Sequence, residues 1–445
     1  MLLAEPLVAH QNQKKDRLKS QQHAEQPVVQ VNQRKSRLKN RQHAVQHVEQ
    51  ENKVLGASPL PRGAGFPHFA NAHRPHFVAV GCFAGAPIPC AFSHGGKIMA
   101  QQYFAFQWHI TDDCDQRCKH CYIFAEGHPC LVSMKWEEMQ LVLQKCEAFC
   151  RKFNRLPYFY ITGGDPILHP NFWQLLALLK EKGIPFTLMG NPFHLTDEVC
   201  QKLRSYGCDK YQMSIDGMEK THDWFRKPGS FKTTLEKVLC IKKAGITSVI
   251  MTTVSGTNID EIPDVIDAVV KAEVDVYAFA RYVPTSGGKG SEKSDWYIAP
   301  DRYRVFLADV DKKYKSYEEK GCKTYFNRKD HLWTLFQYEN GDFKIPDSAD
   351  KEMIYGGCNC GNCHFTISSN GDLMACRRVA NSKVGNIFKD KIEDVWLNQM
   401  EAYRDYDSFS KCSKCELKAW CRGCPAVAAG SHGGDFYLDD PQCWK

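Results

Sequence analysis

The sequence predicts an α/β protein, a parallel sheet of six strands with helical crossovers, followed by a cysteine-rich C-terminal extension. Three observations carry this expectation. From residue 103 onward, short apolar runs alternate with amphipathic helical runs, the pattern of parallel strands joined by right-handed crossovers. The stretches with unusual residues each follow a strand, which places them at one rim of the sheet. Finally, 21 cysteines occur in 445 residues, and they gather in closely spaced groups.

The elements follow in order. YFAFQWHI (103–110) is the first strand, and 136–152, opening Trp-Glu-Glu-Met, is a helix. YFYI (158–161) is the second strand, and 171–182 an amphipathic helix ending at Gly183. PFTLM (185–189), YQMSI (211–215), SVIMTTV (248–254) and VYAFA (276–280) complete the six. Helices fall between them near 196–206, 231–244 and 260–271. Six strands suit an open, partial (β/α)6 barrel as well as a doubly wound sheet. In either, reactive groups collect at the C-terminal ends of the strands.

Composition removes several function classes. The formal net charge of +7 suggests nucleic acid, but the charge is local. Residues 1–98 carry 13 Lys/Arg against 5 Asp/Glu, and the rest carries 45 against 46. No nucleic-acid partner is therefore expected. No apolar run is long enough to span a bilayer and no export signal is evident, so a cytoplasmic protein without a membrane partner is expected. In a reducing compartment, clustered cysteines point to metal ligation rather than disulfides. The first 98 residues hold a twofold repeat, NQKKDRLKSQQHA (12–24) and NQRKSRLKNRQHA (32–44), with no apolar period to build a core. Gly95-Gly96-Lys97 back-translates to a purine run just before the Met99 codon, as at a bacterial ribosome-binding site. Residues 1–98 are expected to be disordered or translated upstream DNA, with Met99 the true start.

CDQRCKHCY (114–122) holds three thiols, Cys114, Cys118 and Cys121, just past the first strand. A closed structural zinc site takes four ligands, so three thiols leave one metal position open. His120, adjacent to Cys121, is poorly placed to be the fourth. Thr-Gly-Gly-Asp-Pro (162–166) follows the second strand, Gly-Asn (190–191) the third, and Ser-Ile-Asp-Gly (214–217) closes the fourth. His109 and Trp108, on the first strand, face either the cavity or the barrel core. Tyr122 and Phe124 are expected to pack around the cysteine loop.

With these motifs in place the chain resembles a radical S-adenosylmethionine (SAM) enzyme over roughly 103–445. The resemblance implies that Cys114, Cys118 and Cys121 hold three irons of a [4Fe–4S] cluster, and that SAM chelates the fourth iron. Reductive cleavage of SAM would yield a 5′-deoxyadenosyl radical that abstracts hydrogen. Gly163, Gly164 and Asp165 resemble the family's Gly-Gly-Glu-Pro element, with Asp for Glu, and would meet the SAM amino group. Asn191, Ser214 and Asp216 would contact its ribose and carboxylate, although each residue also suits a loop cap. Arg281 would pair with the SAM carboxylate or form a structural salt bridge.

The C-terminal part resembles the SPASM extension, which carries two auxiliary [4Fe–4S] clusters. Cys358, Cys360 and Cys363 precede Gly371-x4-Cys376, and Cys412-x2-Cys415-x5-Cys421-x2-Cys424 precedes Cys443. The family spaces the third interval by three residues and this chain by two. By resemblance one cluster takes Cys358, Cys363, Cys376 and Cys424, and the other Cys412, Cys415, Cys421 and Cys443. Cys360 replaces Cys358 or Cys363, or stays free. Cys130, Cys146, Cys150, Cys200, Cys208, Cys240 and Cys322 lack ligand spacing and read as packed thiols.

The expected domains are a radical SAM partial barrel (99–300), linking helices (301–350) and a SPASM domain (351–445). FAFQWHITDDCDQRCKHCYIF (104–124) also resembles maturases of Cys-rich peptides such as the ACGX system. The resemblance implies hydrogen abstraction from a ribosomally made, Cys-rich precursor, then a thioether or carbon–carbon cross-link. It further implies a flavodoxin- or ferredoxin-type reductant. Residues 1–98 show no strand–helix succession for a leader-binding domain, so a separate leader-recognition protein or the barrel surface would hold the leader. The alternatives are an anaerobic sulfatase maturase forming formylglycine, a radical enzyme for a small metabolite, and a non-enzymatic iron–sulfur electron carrier.

Overall fold

Among the described residues ten strands form one sheet: the first seven lie side by side in chain order, and the last three continue from the free edge of the first. The computed structural model describes residues 102–124, 131–284, 294–350, 353–379 and 381–445. The expectations for residues 1–98, and the one for Cys130, lie outside the described residues. The first six strands are β1 (Gln102–Thr111), β2 (Arg155–Gly163), β3 (Phe186–Met189), β4 (Lys210–Ser214), β5 (Thr247–Val254) and β6 (Val276–Arg281). All run parallel to their neighbours in chain order. The crossovers are α1 (Trp136–Lys152), α2 (Phe172–Glu181), α3 (Asp197–Ser205), α4 (Glu219–Phe225), α5 (Ser230–Lys243) and α6 (Ile262–Lys271).

Local chemistry explains the boundaries. α3 starts where the Thr196 hydroxyl accepts from the Val199 amide at 3.2 Å, an N-cap that satisfies an otherwise orphaned donor. α2 stops at Gly183, whose φ of 64° lets its amide turn back to the Lys180 carbonyl. β1 is buried on both faces: Phe104, Phe106, Trp108 and Ile110 alternate with Ala105 and His109. That is the signature of a central strand in a parallel sheet covered by helices. The apolar faces of α1, α2 and α6 pack onto this sheet through Val142, Leu143, Leu175, Leu179, Val265 and Val269.

The sheet is wider than the six strands expected. The 301–350 stretch contains α7 (Pro300–Glu319) and α8 (Leu332–Glu339), but between them β7 (Tyr325–Asn327) extends the sheet beside β6. On the other side β8 (His364–Ile367) runs parallel to β1, with Ala105 opposite His364 and Trp108 opposite Ile367. An antiparallel pair, β9 (Asp372–Met374) and β10 (Lys383–Asn386), continues from β8. The cysteine-rich extension is therefore stitched to the barrel strand that delivers the three-cysteine loop. α9 (Ile392–Leu397) and α10 (Pro425–Ser431) complete the described helices. Among the described residues, no helix is long and apolar enough to cross a membrane.

Candidate active site

The loop after β1 carries Cys114, Cys118 and Cys121 to the C-terminal rim of the sheet. There a cavity of about 350 Å³ opens, and all three thiols border it. The loop is held from below by the glycine pair after β2. The Gly164 amide donates to the Thr111 carbonyl at 2.8 Å, and the Asp165 amide to the Asp113 carbonyl at 2.7 Å. A Cβ on Gly163 would lie 2.1 Å from the Thr111 oxygen, and one on Gly164 2.1 Å from the Asp113 oxygen. Both glycines also line the cavity. Their smallness is demanded first by the cysteine loop, which leaves no space for a side chain.

Donors converge on the sulfurs. Asn191, past β3, donates through Nδ2 to Cys114 Sγ at 3.2 Å and to Asp115 Oδ1 at 2.9 Å. The Gln116 amide reaches Cys114 Sγ at 3.4 Å, and Arg226 Nη1 lies 3.9 Å from Cys118 Sγ. Burial pushes the Cys118 thiol up to about 12, with the Arg226 charge opposing. Burial likewise raises Cys114. Such thiols ionise when a cation binds them, and outer donors of this kind orient and stabilise metal-bound thiolates. Three soft sulfurs with outer donors fit an iron–sulfur cluster with one iron left open.

The other expected cofactor contacts divide. Ser214 and Asn191 line the cavity. Asp216 stands behind it, fully buried, accepting from Arg226 Nε at 2.5 Å and from the Thr253 amide at 2.8 Å. Burial works against its charge, yet Arg226, His120 and His222 hold it down at about 2. Asp165 is also fully buried, and burial, reinforced by the Asp115 charge, pushes its carboxyl up to about 7. Of the two roles left open for Arg281, the geometry shows the structural one. Its guanidinium binds Asp330 at 3.0 Å, Asp440 at 2.6 and 2.8 Å, and Gln442 at 2.9 Å. His109 and Trp108 are fully buried in the barrel. Cys146, Cys150, Cys200 and Cys208 are buried thiols, as their spacing suggested.

The extension supplies two more groups of sulfur. Cys358, Cys360, Cys376 and Cys424 all border the same cavity as the first three thiols. The Cys360 thiol donates to the Ala375 carbonyl at 2.8 Å, and the neighbouring Cys358 and Cys376 thiols hold it well above the usual thiol range. Cys363, expected as a ligand, is buried and does not border this cavity. The Cys363 carbonyl, at the end of the turn 361–363, accepts from the Ala105 amide at 3.0 Å, while Cys360 forms an isolated β-bridge with His364. Cys412, Cys415, Cys421 and Cys443 form the second group. Burial raises Cys412 and Cys421 to about 12, and the neighbouring thiols add to it. His331, not singled out from sequence, lines the cavity with Cys358, and its carbonyl accepts from Cys421 Sγ at 3.4 Å. Arg226, Arg377 and Arg378 were also missed. α4, which delivers Arg226, carries few apolar residues, whereas Arg377 and Arg378 directly follow Cys376, a signal that was available.

A β/α sheet with an open three-thiol loop, facing further thiol groups, defines an iron–sulfur enzyme that binds a chelating cofactor. The radical SAM superfamily profile matches residues 108–269, and the SPASM iron–sulfur cluster-binding domain profile matches 358–425. The chain is a radical SAM enzyme with a SPASM extension, binding a [4Fe–4S] cluster with SAM and auxiliary iron–sulfur clusters. It is similar to the AdoMet-dependent heme synthase of Nitratidesulfovibrio vulgaris, 26% identical over 344 residues, spanning 76% of this chain and 90% of that protein. It is also similar to the mycofactocin maturase MftC of Mycolicibacterium smegmatis, 25% identical over 350 residues, spanning 76% of this chain and 81% of that one. Its fold matches the crystal structure of Streptococcus suis SuiB bound to S-adenosylmethionine, with a TM-score of 0.60 at 18% identity over 77% of each chain.

Proposed function

We propose that the enzyme modifies a ribosomally made, Cys-rich peptide, closing a thioether or carbon–carbon cross-link after hydrogen abstraction. The observation that carries this is one shared cavity. Cys114, Cys118 and Cys121 border it together with Cys358, Cys360, Cys376 and Cys424. Closing a cross-link is a two-electron oxidation, so a site bordered by two sets of cluster-binding thiols suits it. MftC is named as a maturase, and SuiB has been solved with its precursor peptide SuiA, which supports a peptide substrate.

When bound, the cluster and SAM supply the hydrogen-abstracting 5′-deoxyadenosyl radical. This chain's residues do the rest. Asn191 and Arg226 orient the sulfurs, and Gly163 and Gly164 let the cysteine loop sit close against the sheet. Tyr122, Phe124 and Tyr282 line the cavity with apolar surface that excludes water from a reactive centre. Gln107, Ser214 and Asn191 present polar groups at the strand ends.

A second reading has its own observation. The similarity to a heme synthase covers 90% of that protein, which favours a propionate-bearing tetrapyrrole as substrate. A sulfatase-maturase activity shares the architecture and would act on a protein Cys or Ser. Mass spectrometry of a co-expressed Cys-rich precursor separates these readings. Loss of two hydrogens per cross-link supports the peptide reading. An unmodified precursor, with turnover of a tetrapyrrole or of a sulfatase peptide, sinks it.

A further inference from the structure

We propose that Arg377 anchors a carboxylate-binding subsite in this cavity, so that the substrate presents an anionic group beside chain segments that carry both sets of cysteines. The inference rests on the reading that substrate enters this cavity, and not on the substrate being a peptide. An acidic side chain of a peptide and a propionate of a tetrapyrrole share the chemistry.

Four arginines line the cavity, and three have protein partners. Arg226 is paired with Asp216. Arg281 is paired with Asp330 and Asp440. Arg378 donates toward the Arg281 carbonyl at 3.4 Å and toward Cys424 Sγ at 3.9 Å. Arg377 differs in that its Nε is buried without a hydrogen-bond partner; among the described residues no carboxylate lies within ion-pair distance of it either. Among the described lining residues the only carboxylate is Asp330, which Arg281 occupies. Lys329 adds a further positive charge to the wall.

The guanidinium is held in place rather than loose. It lies over the Tyr122 ring, 4.9 Å from the centroid, and Tyr122 packs edge-on against buried His109 at 6.0 Å. A guanidinium held over a ring face leaves donors for two carboxylate oxygens. A buried N–H of a charged group without an acceptor is unfavourable, and a bound carboxylate would satisfy it. Position adds to the case. Tyr122 follows Cys121 and Arg377 follows Cys376, so an anion on this fork lies beside chain segments that carry thiols of both sets.

The test uses the full chain, reconstituted with iron and sulfide and saturated with SAM. The probes are acetylated, amidated Ala-Glu-Ala and Ala-Gln-Ala, and coproporphyrin as the propionate-bearing tetrapyrrole. Calorimetry is expected to show an acidic probe bound at least about tenfold more tightly than a matched neutral one. For the peptides the comparison is Glu against Gln; for the tetrapyrrole it is the free acid against its methyl ester. Arg377→Gln should abolish that preference, and Arg377→Lys should keep part of it. Iron content and circular dichroism check each variant; if Arg377→Gln does not fold, the Arg377→Lys ratio decides. Coproporphyrin bound with this dependence while neither peptide binds upholds the subsite and sinks the peptide reading. Equal affinities, no binding of any acidic probe, or a preference that survives Arg377→Gln overturns the proposal. So does Arg377→Gln weakening SAM instead of the probe, since the fork would then serve the cofactor.

Discussion

Arg226 donates through Nε to Asp216 Oδ2 at 2.5 Å, while its Nη1 points toward Cys118 Sγ at 3.9 Å. One guanidinium thus joins a carboxylate at the end of β4 to the three-thiol loop after β1. His120, between two of those thiols, completes the contact, with its ring nitrogen 3.4 Å from Asp216. Burial holds that imidazole down at about 4, so the Asp216 charge is met chiefly by Arg226.

Removing this arginine should therefore be severe. Arg226→Met leaves a buried carboxylate without its cation, which costs about 3–5 kcal/mol. Arg226→Lys should recover part of the loss, because a point charge replaces the fork. Thermal denaturation under anaerobic conditions measures both. A melting temperature unchanged in Arg226→Met would refute the pairing.

Gly164→Ala should displace the cysteine loop, because its Cβ would sit 2.1 Å from the Asp113 oxygen. The expected signature is selective. Iron should fall from about twelve to about eight per chain as the first cluster is lost and two four-iron clusters remain. Iron and sulfide assays give the answer, and a full complement in the alanine variant would contradict the packing described.

Cys360 and Cys363 separate by the same assay. Cys360 lies with Cys358 and Cys376, so Cys360→Ala should lose about four irons, one cluster's worth. Cys363 packs in the core, so Cys363→Ala should keep its iron and lose about 1 kcal/mol of stability from the small cavity. The opposite pattern would restore Cys363 as the ligand.

Asp165 predicts a pH dependence with a definite sign. Its carboxyl is raised by burial, and further by Asp115, to about 7 in the folded chain, above the unfolded value of 3.8. Between those values the folded state binds more protons than the unfolded one, so stability falls as pH rises from about 4 to about 7. Above that window the penalty is complete and constant. In the iron-free chain, Asp165→Asn should flatten this decline, as read from urea midpoints across the window. Parallel curves for the two proteins would show that Asp165 is not the titrating group.

Much of this was legible in the sequence. The six parallel strands and most crossovers follow from apolar periodicity, which is local. The three-cysteine loop is legible because its ligands lie within eight residues, and their spacing is a chemical statement in itself. What the sequence left open has a common cause. β7 has three residues and β8 four, too short for a period to show, and each is a strand only because a distant edge offers hydrogen bonds. Cys360 borders the cavity and Cys363 does not, and the Cys363 carbonyl is held by Ala105, far away in the chain. Arg281 could pair with a ligand or with the protein until the fold brought Asp440 to it across 159 residues. The sequence by itself determined the chemistry available, sulfur for iron and a parallel sheet to present it. The tertiary structure decided which charges are already neutralised and which, at Arg377, face the cavity without a protein carboxylate. That division arises because pairing energies depend on distance and burial, and neither is written in the order of residues.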